Sequence, residues 1–141
     1  MARPTAVDNA RSAVVLSGGI KHWGGAGIVE MTVDLYDGVT IAGPKGRLDT
    51  AGAGPFADQL AQQIRSGARI LLIDLRQVLY VSSAGIRALL MTARLVDQHQ
   101  GKFVLCGISP EIMRVFALGG LNTVFTICPT REDGVRTARG N

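Results

Sequence analysis

Apolar and polar residues change their spacing several times along this 141-residue chain, and each change marks an element. Ile28 to Leu35 alternates loosely, Asp37-Gly38 carries the residues of a tight turn, and Val39 to Ala42 resumes β-branched character. The two segments are expected to pair as a hairpin. Pro44 cannot donate to a sheet ladder, so the chain is expected to leave the sheet or bulge there, before Gly46-Arg47-Leu48-Asp49, with a loop following that leads into a helix. The period then lengthens. Phe56, Leu60 and Ile64 recur every four residues, which predicts a helix from about Gly54 to Ser66, stopped by Gly67.

Arg69 to Leu75 is a nearly unbroken apolar run of strand length, the pattern of a central strand buried on both faces. After Tyr80 and Val81 come two serines, and then Ile86, Leu89, Leu90, Ala93 and Val96 follow helical spacing. The outer face of that helix carries Arg87, Met91, Arg94 and Gln98, and Gln100-Gly101 ends it. Phe103 to Cys106 predicts a further strand. Ser109 reads as the N-cap and Pro110 as the first residue of a third helix, closed by Gly119-Gly120. Val124 to Cys128 predicts a last strand, and Arg131 to Arg139 a terminal helix or fraying tail.

Strands that alternate with helices of this length imply right-handed crossovers. The expected fold is α/β: a mixed, mostly parallel sheet of four to five strands with helices packed against it. Residues 1 to 27 hold Gly18, Gly19, Gly24, Gly25 and Gly27 and no sustained apolar period, and are expected to be a mobile N-terminal extension. One domain is expected over 28–141, with no internal repeat.

Composition narrows the function. A 47% hydrophobic, 18% charged chain is that of a globular protein. No apolar run approaches the roughly 20 residues of a membrane span, and Ala13 to Leu16 is shorter than the core of a signal peptide, about 7 to 15 residues, so a cytoplasmic location without membrane insertion is expected. The net charge of +4 comes from basic residues strewn singly, and aromatic residues make up only 5%. With no basic stripe and no stacking platform, no nucleic-acid partner is expected. Cys106 and Cys128 lie in apolar surroundings with a spacing that fits no metal site, and read as buried reduced thiols.

The chemistry in question is that of "YVSSAGIRALL", residues 80 to 90. A serine before a helix caps an orphan amide, and a hydroxyl there is also open to modification. Nucleophilic catalysis is disfavoured. The segment is not G-x-S-x-G, and His99, 16 residues beyond Ser83 in one continuous helix, lies about 24 Å away along the axis. His22 sits in the extension. Gly24, Gly25 and Gly27 precede a strand and lack the residues of a P-loop, so they read as linker. Asp49 and Asp74 as a metal pair are weaker than the same carboxylates as solvated or capping groups. No metal or cofactor is expected.

"GRLDT", "ILLIDLRQVLYVSSAGIRALL" and "VLCGISPEIMRVFALGGLNTVFTI" together resemble the STAS domain, the fold of bacterial anti-sigma factor antagonists and of the cytoplasmic tails of sulfate transporters. The resemblance runs from about residue 28 to the end. It implies a non-enzymatic regulatory module with an anti-sigma factor that is also a serine kinase as its partner, and a serine phosphatase for reset. It implies phosphorylation at Ser83, which aligns with the family's acceptor once Gly85 is set on the family glycine; Ser82 is the lesser candidate. Ser82 stands where the family usually has aspartate, and Ala84 where it often has a second hydroxyl. The family's acidic positions map onto Asp49 and Asp74. Apart from the resemblance, Arg87, Met91 and Arg94 form the helix face beside Ser83; an arginine-rich face is by default only solvated, and Met91 in its middle tips the expectation towards a partner surface. The other reading of the resemblance is a stand-alone STAS subunit of a lipid or anion transport assembly, in which the serine only caps.

Overall fold

The computed structural model describes residues 19–22 and 30–140. Strand β1, Gly19–His22, pairs antiparallel with β2, Glu30–Tyr36, which pairs antiparallel with β3, Val39–Leu48. Asp37 and Gly38 both take positive φ, 56° and 82°. That is the backbone of a two-residue hairpin turn whose twist suits the flanking strands. The hairpin is therefore present as its turn residues predict, while Ile28 lies outside the described residues. Within the expected N-terminal extension, Gly19–His22 is a strand of the sheet, and residues 1–18 and 23–27 lie outside the described residues.

Pro44 does not end the strand. It stays in register opposite Met31, and β3 continues to Leu48. The reason lies in alternation along an antiparallel ladder. Tyr36 and Val39 close the two-residue turn as a hydrogen-bonded pair, so residues 40, 42 and 44 turn their amides to the other edge. On that edge the last partner of strand β4, Ile70–Asp74, is Ile73 opposite Ala42, and the next contact is Gly46 opposite Val78. Pro44 falls between the two, where no ladder bond is lost. The loop expected before the helix is absent as well, because the strand runs to Leu48 and a helix capped by Asp49 begins at Thr50. β3 does not bulge at Pro44; the irregularity of its other edge lies between Gly46 and Arg47, where the extra residue belongs to the partner strand β5, Val78–Val81.

Helix α1, Thr50–Arg65, follows β3 directly. It begins four residues before the apolar spacing suggests, because Asp49 caps it and its first buried residues are the small Gly52 and Ala53. Helix α2 spans Ser83–Gln98, strand β6 Lys102–Cys106, helix α3 Pro110–Leu118, a short 3-10 turn Leu121–Thr123, strand β7 Thr126–Cys128 and helix α4 Arg131–Ala138. Among the described residues the sheet has seven strands in the order β1-β2-β3-β4-β6-β7, with β5 extending the β3 edge beyond β4. Every pairing from β3 onward is parallel. The mixed, mostly parallel α/β sheet is as predicted, and β1 and β5 are the strands beyond the predicted four to five.

Both faces are covered. Leu71, Ile73, Ala42 and Leu105 pack against Phe56, Leu60 and Ile64 of α1, Leu89 and Val96 of α2 and Ile112 and Phe116 of α3. On the opposite face Val39, Ile41, Leu72, Val104, Cys106 and Cys128 meet Val135 and Ala138 of α4. The unbroken apolar run of β4 follows from burial on both sides.

Candidate functional site

Strands β3 and β5 run parallel and end together, with Leu48 opposite Val81. The next residue on each strand, Asp49 and Ser82, caps the helix that follows. Helices α1 and α2 thus start side by side at the carboxyl end of the sheet, and their free amides and positive dipole ends point the same way.

Ser82 has extended backbone, φ −82° and ψ 172°. Its hydroxyl donates to the Leu48 carbonyl at 3.0 Å and accepts from the Gly85 amide at 3.1 Å. Its own amide donates to the same carbonyl at 2.9 Å, and its carbonyl accepts from the Ile86 amide at 2.9 Å. Ser82 is therefore the tie between the end of β3 and the start of α2. Gly85 makes the close approach possible, since a Cβ there would lie 2.7 Å from the Leu48 carbonyl oxygen and 2.9 Å from a Val81 methyl.

Ser83 is the first helical residue and is exposed. Among the described residues its hydroxyl has no hydrogen-bond partner. Arg87, Met91 and Arg94 lie on the exposed face of α2 below it, at the spacing their sequence predicts. His99 caps the other end of the helix, its Nδ1 3.0 Å from the Leu95 carbonyl, far from either serine.

The two carboxylates have separate surroundings. Asp49 Oδ1 accepts from the Gly52 amide at 3.0 Å, a helix cap beside Ser82. Asp74 is only 5% exposed and belongs to the α4 face. Its Oδ2 accepts from Arg131 Nε and receives a second Arg131 nitrogen, both at 3.0 Å, while Oδ1 accepts from the Arg76 amide at 3.0 Å. It holds the start of α4 to the end of β4 and offers no carboxylate to the surface around Ser83. Burial, with the Asp74 carboxylate adding to it, pushes the neighbouring Cys106 thiol from 9.0 up to about 12. Cys106 and Cys128 are buried free thiols in register on β6 and β7.

Arg47 and Tyr80, paired across β3 and β5, escaped the sequence reading. The Arg47 guanidinium carbon stands 4.2 Å from the centre of the Tyr80 ring. No motif marks this contact, because it depends on which strands pair.

No helix among the described residues is long and apolar enough to cross a membrane. What the arrangement can do is accept an anion at the start of α2. The Ser82 hydroxyl and carbonyl occupy the Gly85 and Ile86 amides, leaving the first amides of the helix and its dipole to a negative group on Ser83.

The STAS domain pattern matches residues 30–134. BtrV of Bordetella bronchiseptica, named as a candidate anti-sigma factor antagonist, is 36% identical over 104 residues, which span 74% of this chain and 90% of that protein. The anti-sigma-F factor antagonist RsfB of Mycobacterium tuberculosis is 25% identical over 112 residues, 79% of this chain and 91% of its own. The crystal structure of an anti-sigma factor antagonist from Mycobacterium paratuberculosis matches with a TM-score of 0.72 and 25% identity, covering 79% of this chain and 94% of that one. With the strand order, the capped start of α2 and these matches in agreement, the chain belongs to the STAS domain family.

Proposed function

We propose that this chain is an anti-sigma factor antagonist that binds an anti-sigma factor with serine kinase activity while Ser83 is free, and lets go when Ser83 is phosphorylated. A serine phosphatase resets it. The observation that carries the choice of residue is the difference between the two serines: the Ser82 hydroxyl is engaged as both donor and acceptor, while the Ser83 hydroxyl is exposed without a partner. The names of the relatives BtrV and RsfB support the partner class.

A phosphate on Ser83 adds roughly −1.5 to −2 charges at the start of α2, where free amides and the dipole tolerate it. The fold keeps its shape, and a docked protein meets a hydrated dianion instead of a hydroxyl. Ser83, Arg87, Met91 and Arg94 of α2 and the caps Asp49 and Ser82 form the contact zone in this reading, while Gly85, expected at the partner surface, is buried against Leu48 and Val81 and shapes the start of the helix instead. Asp74 acts through the position of α4 rather than by contact.

The test is intact mass measurement after incubation with an anti-sigma factor kinase of the same genome and ATP. Wild type and Ser82→Ala gain one phosphate, and Ser83→Ala gains none. Modification that persists in Ser83→Ala and vanishes in Ser82→Ala assigns the phosphate to the Ser82 hydroxyl and overturns Ser83 as the acceptor.

A further inference from the structure

Opposite Gly46 and Arg47 of β3, strand β5 supplies three residues, Val78, Leu79 and Tyr80. Leu79 is the extra residue of this bulge. Val78 is buried and Val81 packs on the core, but Leu79 is turned out and 80% exposed, and Tyr80 beside it is 41% exposed. A bulge re-aims a side chain that regular alternation would have placed on one face or the other. An isolated exposed leucine is ordinary on a protein surface. This one is held on a short ordered strand, next to an arginine stacked on an aromatic ring, three residues before Ser82.

The carboxylates near the bulge are already engaged: Asp49, which follows Leu48, caps α1, and Asp74 is held by Arg131. The two stretches that build the bulge, 45–48 and 76–81, contain Lys45, Arg47 and Arg76 and no carboxylate. Lys45 faces Glu30 across β2. Arg76 remains 70% exposed although it lies 3.7 Å from Asp74, whose carboxylate is already taken by Arg131 at 3.0 Å. Arg47 is exposed and held over Tyr80 by stacking, which keeps its guanidinium in one place at little further entropic cost.

We infer that Leu79, with Tyr80 and Arg47, is a second anchor for the partner, separate from the α2 face, and that its occupant is an apolar pocket rimmed by carboxylates on the anti-sigma factor. This rests on the reading of the chain as an anti-sigma factor antagonist. A preformed apolar side chain beside an arginine stacked on an aromatic ring has the composition of an interface hot spot, and the Arg47 guanidinium, which has no carboxylate partner among the described residues, calls for an acidic residue across the contact. Ser83 then lies between two contact areas, the β5 bulge on one side and Arg87, Met91 and Arg94 on the other. A dianion placed there loosens both.

The experiment is calorimetric titration of an anti-sigma factor kinase of the same genome, without ATP, into wild type, Leu79→Ala, Arg47→Glu and Ser83→Asp. Circular dichroism serves as a fold control; Leu79 and Arg47 are exposed, so both variants should fold. The expected result is a loss of about tenfold or more for Leu79→Ala and for Arg47→Glu, with a weaker salt dependence in the latter. If Leu79→Ala and Arg47→Glu bind like wild type while Ser83→Asp does not, the anchor is overturned and the proposed function stands. If no such kinase binds wild type, both fall. If wild type is a dimer that Leu79→Ala dissociates without changing affinity for the kinase, the bulge joins two copies of this chain and the inference is overturned.

Discussion

Ser82 and Ser83 are adjacent, carry the same hydroxyl and have opposite chemistry. Ser82 ties the Leu48 carbonyl to the Gly85 amide, whereas Ser83 points from the first turn into solvent. Ser82→Ala is expected to cost about 1 kcal/mol in chemical denaturation, the usual value of a lost N-cap, and somewhat more if the Leu48 carbonyl stays unpaired. Ser83→Ala is expected to be near neutral in the same measurement. That one of the two serines caps a helix was legible in the sequence; which one was not, because the choice depends on a carbonyl 34 positions earlier in the chain. Cys106 provides a second prediction. Its folded-state value near 12 lies above the ordinary 9.0, so the neutral thiol's contribution is fully present below about pH 9 and is lost as pH rises toward 12. The stability difference between wild type and Cys106→Ala should therefore narrow over that interval, by up to about 1.4 kcal/mol per pH unit, when unfolding is followed from pH 8 to 11. The same burial should leave Cys106 unreactive toward a thiol reagent at pH 8 in the folded protein.

Elements differ in how clearly their residues announce them. Helix α2 is legible because one apolar face of Ala88, Leu89 and Val96 is buried and the opposite face is charged. Strand β5 is not: only four residues long, it has two that are exposed and one that bulges, so no period of two survives. Pro44 was misleading in the other direction, since a proline inside a strand argues against the strand unless its amide faces an unpaired stretch. Helix α4 has few apolar residues of its own. It is held by Gly134 and Ala138 against Leu72 and Cys106, and by two Arg131 nitrogens on one oxygen of Asp74. Arg131→Ala leaves the buried carboxylate with only the Arg76 amide and the more distant Arg76 guanidinium, and is expected to cost about 3 kcal/mol, the low end for breaking a buried pair because Arg131 is itself 34% exposed and Arg76 remains. Hydrogen exchange should show protection lost first in α4, with α1 and α2 little changed. Equal loss everywhere would mean that α4 is not held by this pair. Asp74 reads from the sequence as a solvated or capping carboxylate, and its burial against Arg131 was not legible, because Arg131 is 57 positions away.

At the scale of the whole molecule, parallel strands place both helix starts at one end of the sheet, and that end carries Asp49, Ser82 and Ser83. A negative group on Ser83 sits at a dipole end that favours it, so phosphorylated protein and Ser83→Asp are expected to melt no lower than wild type and a few degrees higher at most. A clear fall in melting temperature would show that the switch works by loosening the fold instead of by blocking contact.

The sequence by itself determined the class of fold, because apolar periods of two and near four, broken by glycine and proline, leave little choice of element type. It also determined that a serine pair starts the second helix. The tertiary structure alone decided which serine is free, where Asp74 is used, that Pro44 stays in the sheet and that Leu79 is turned to solvent. Each of these depends on pairing between strands distant in the chain. Local residue patterns carry the energetics of a turn or a helix face, but they do not say which carbonyl, amide or guanidinium arrives from elsewhere to meet them.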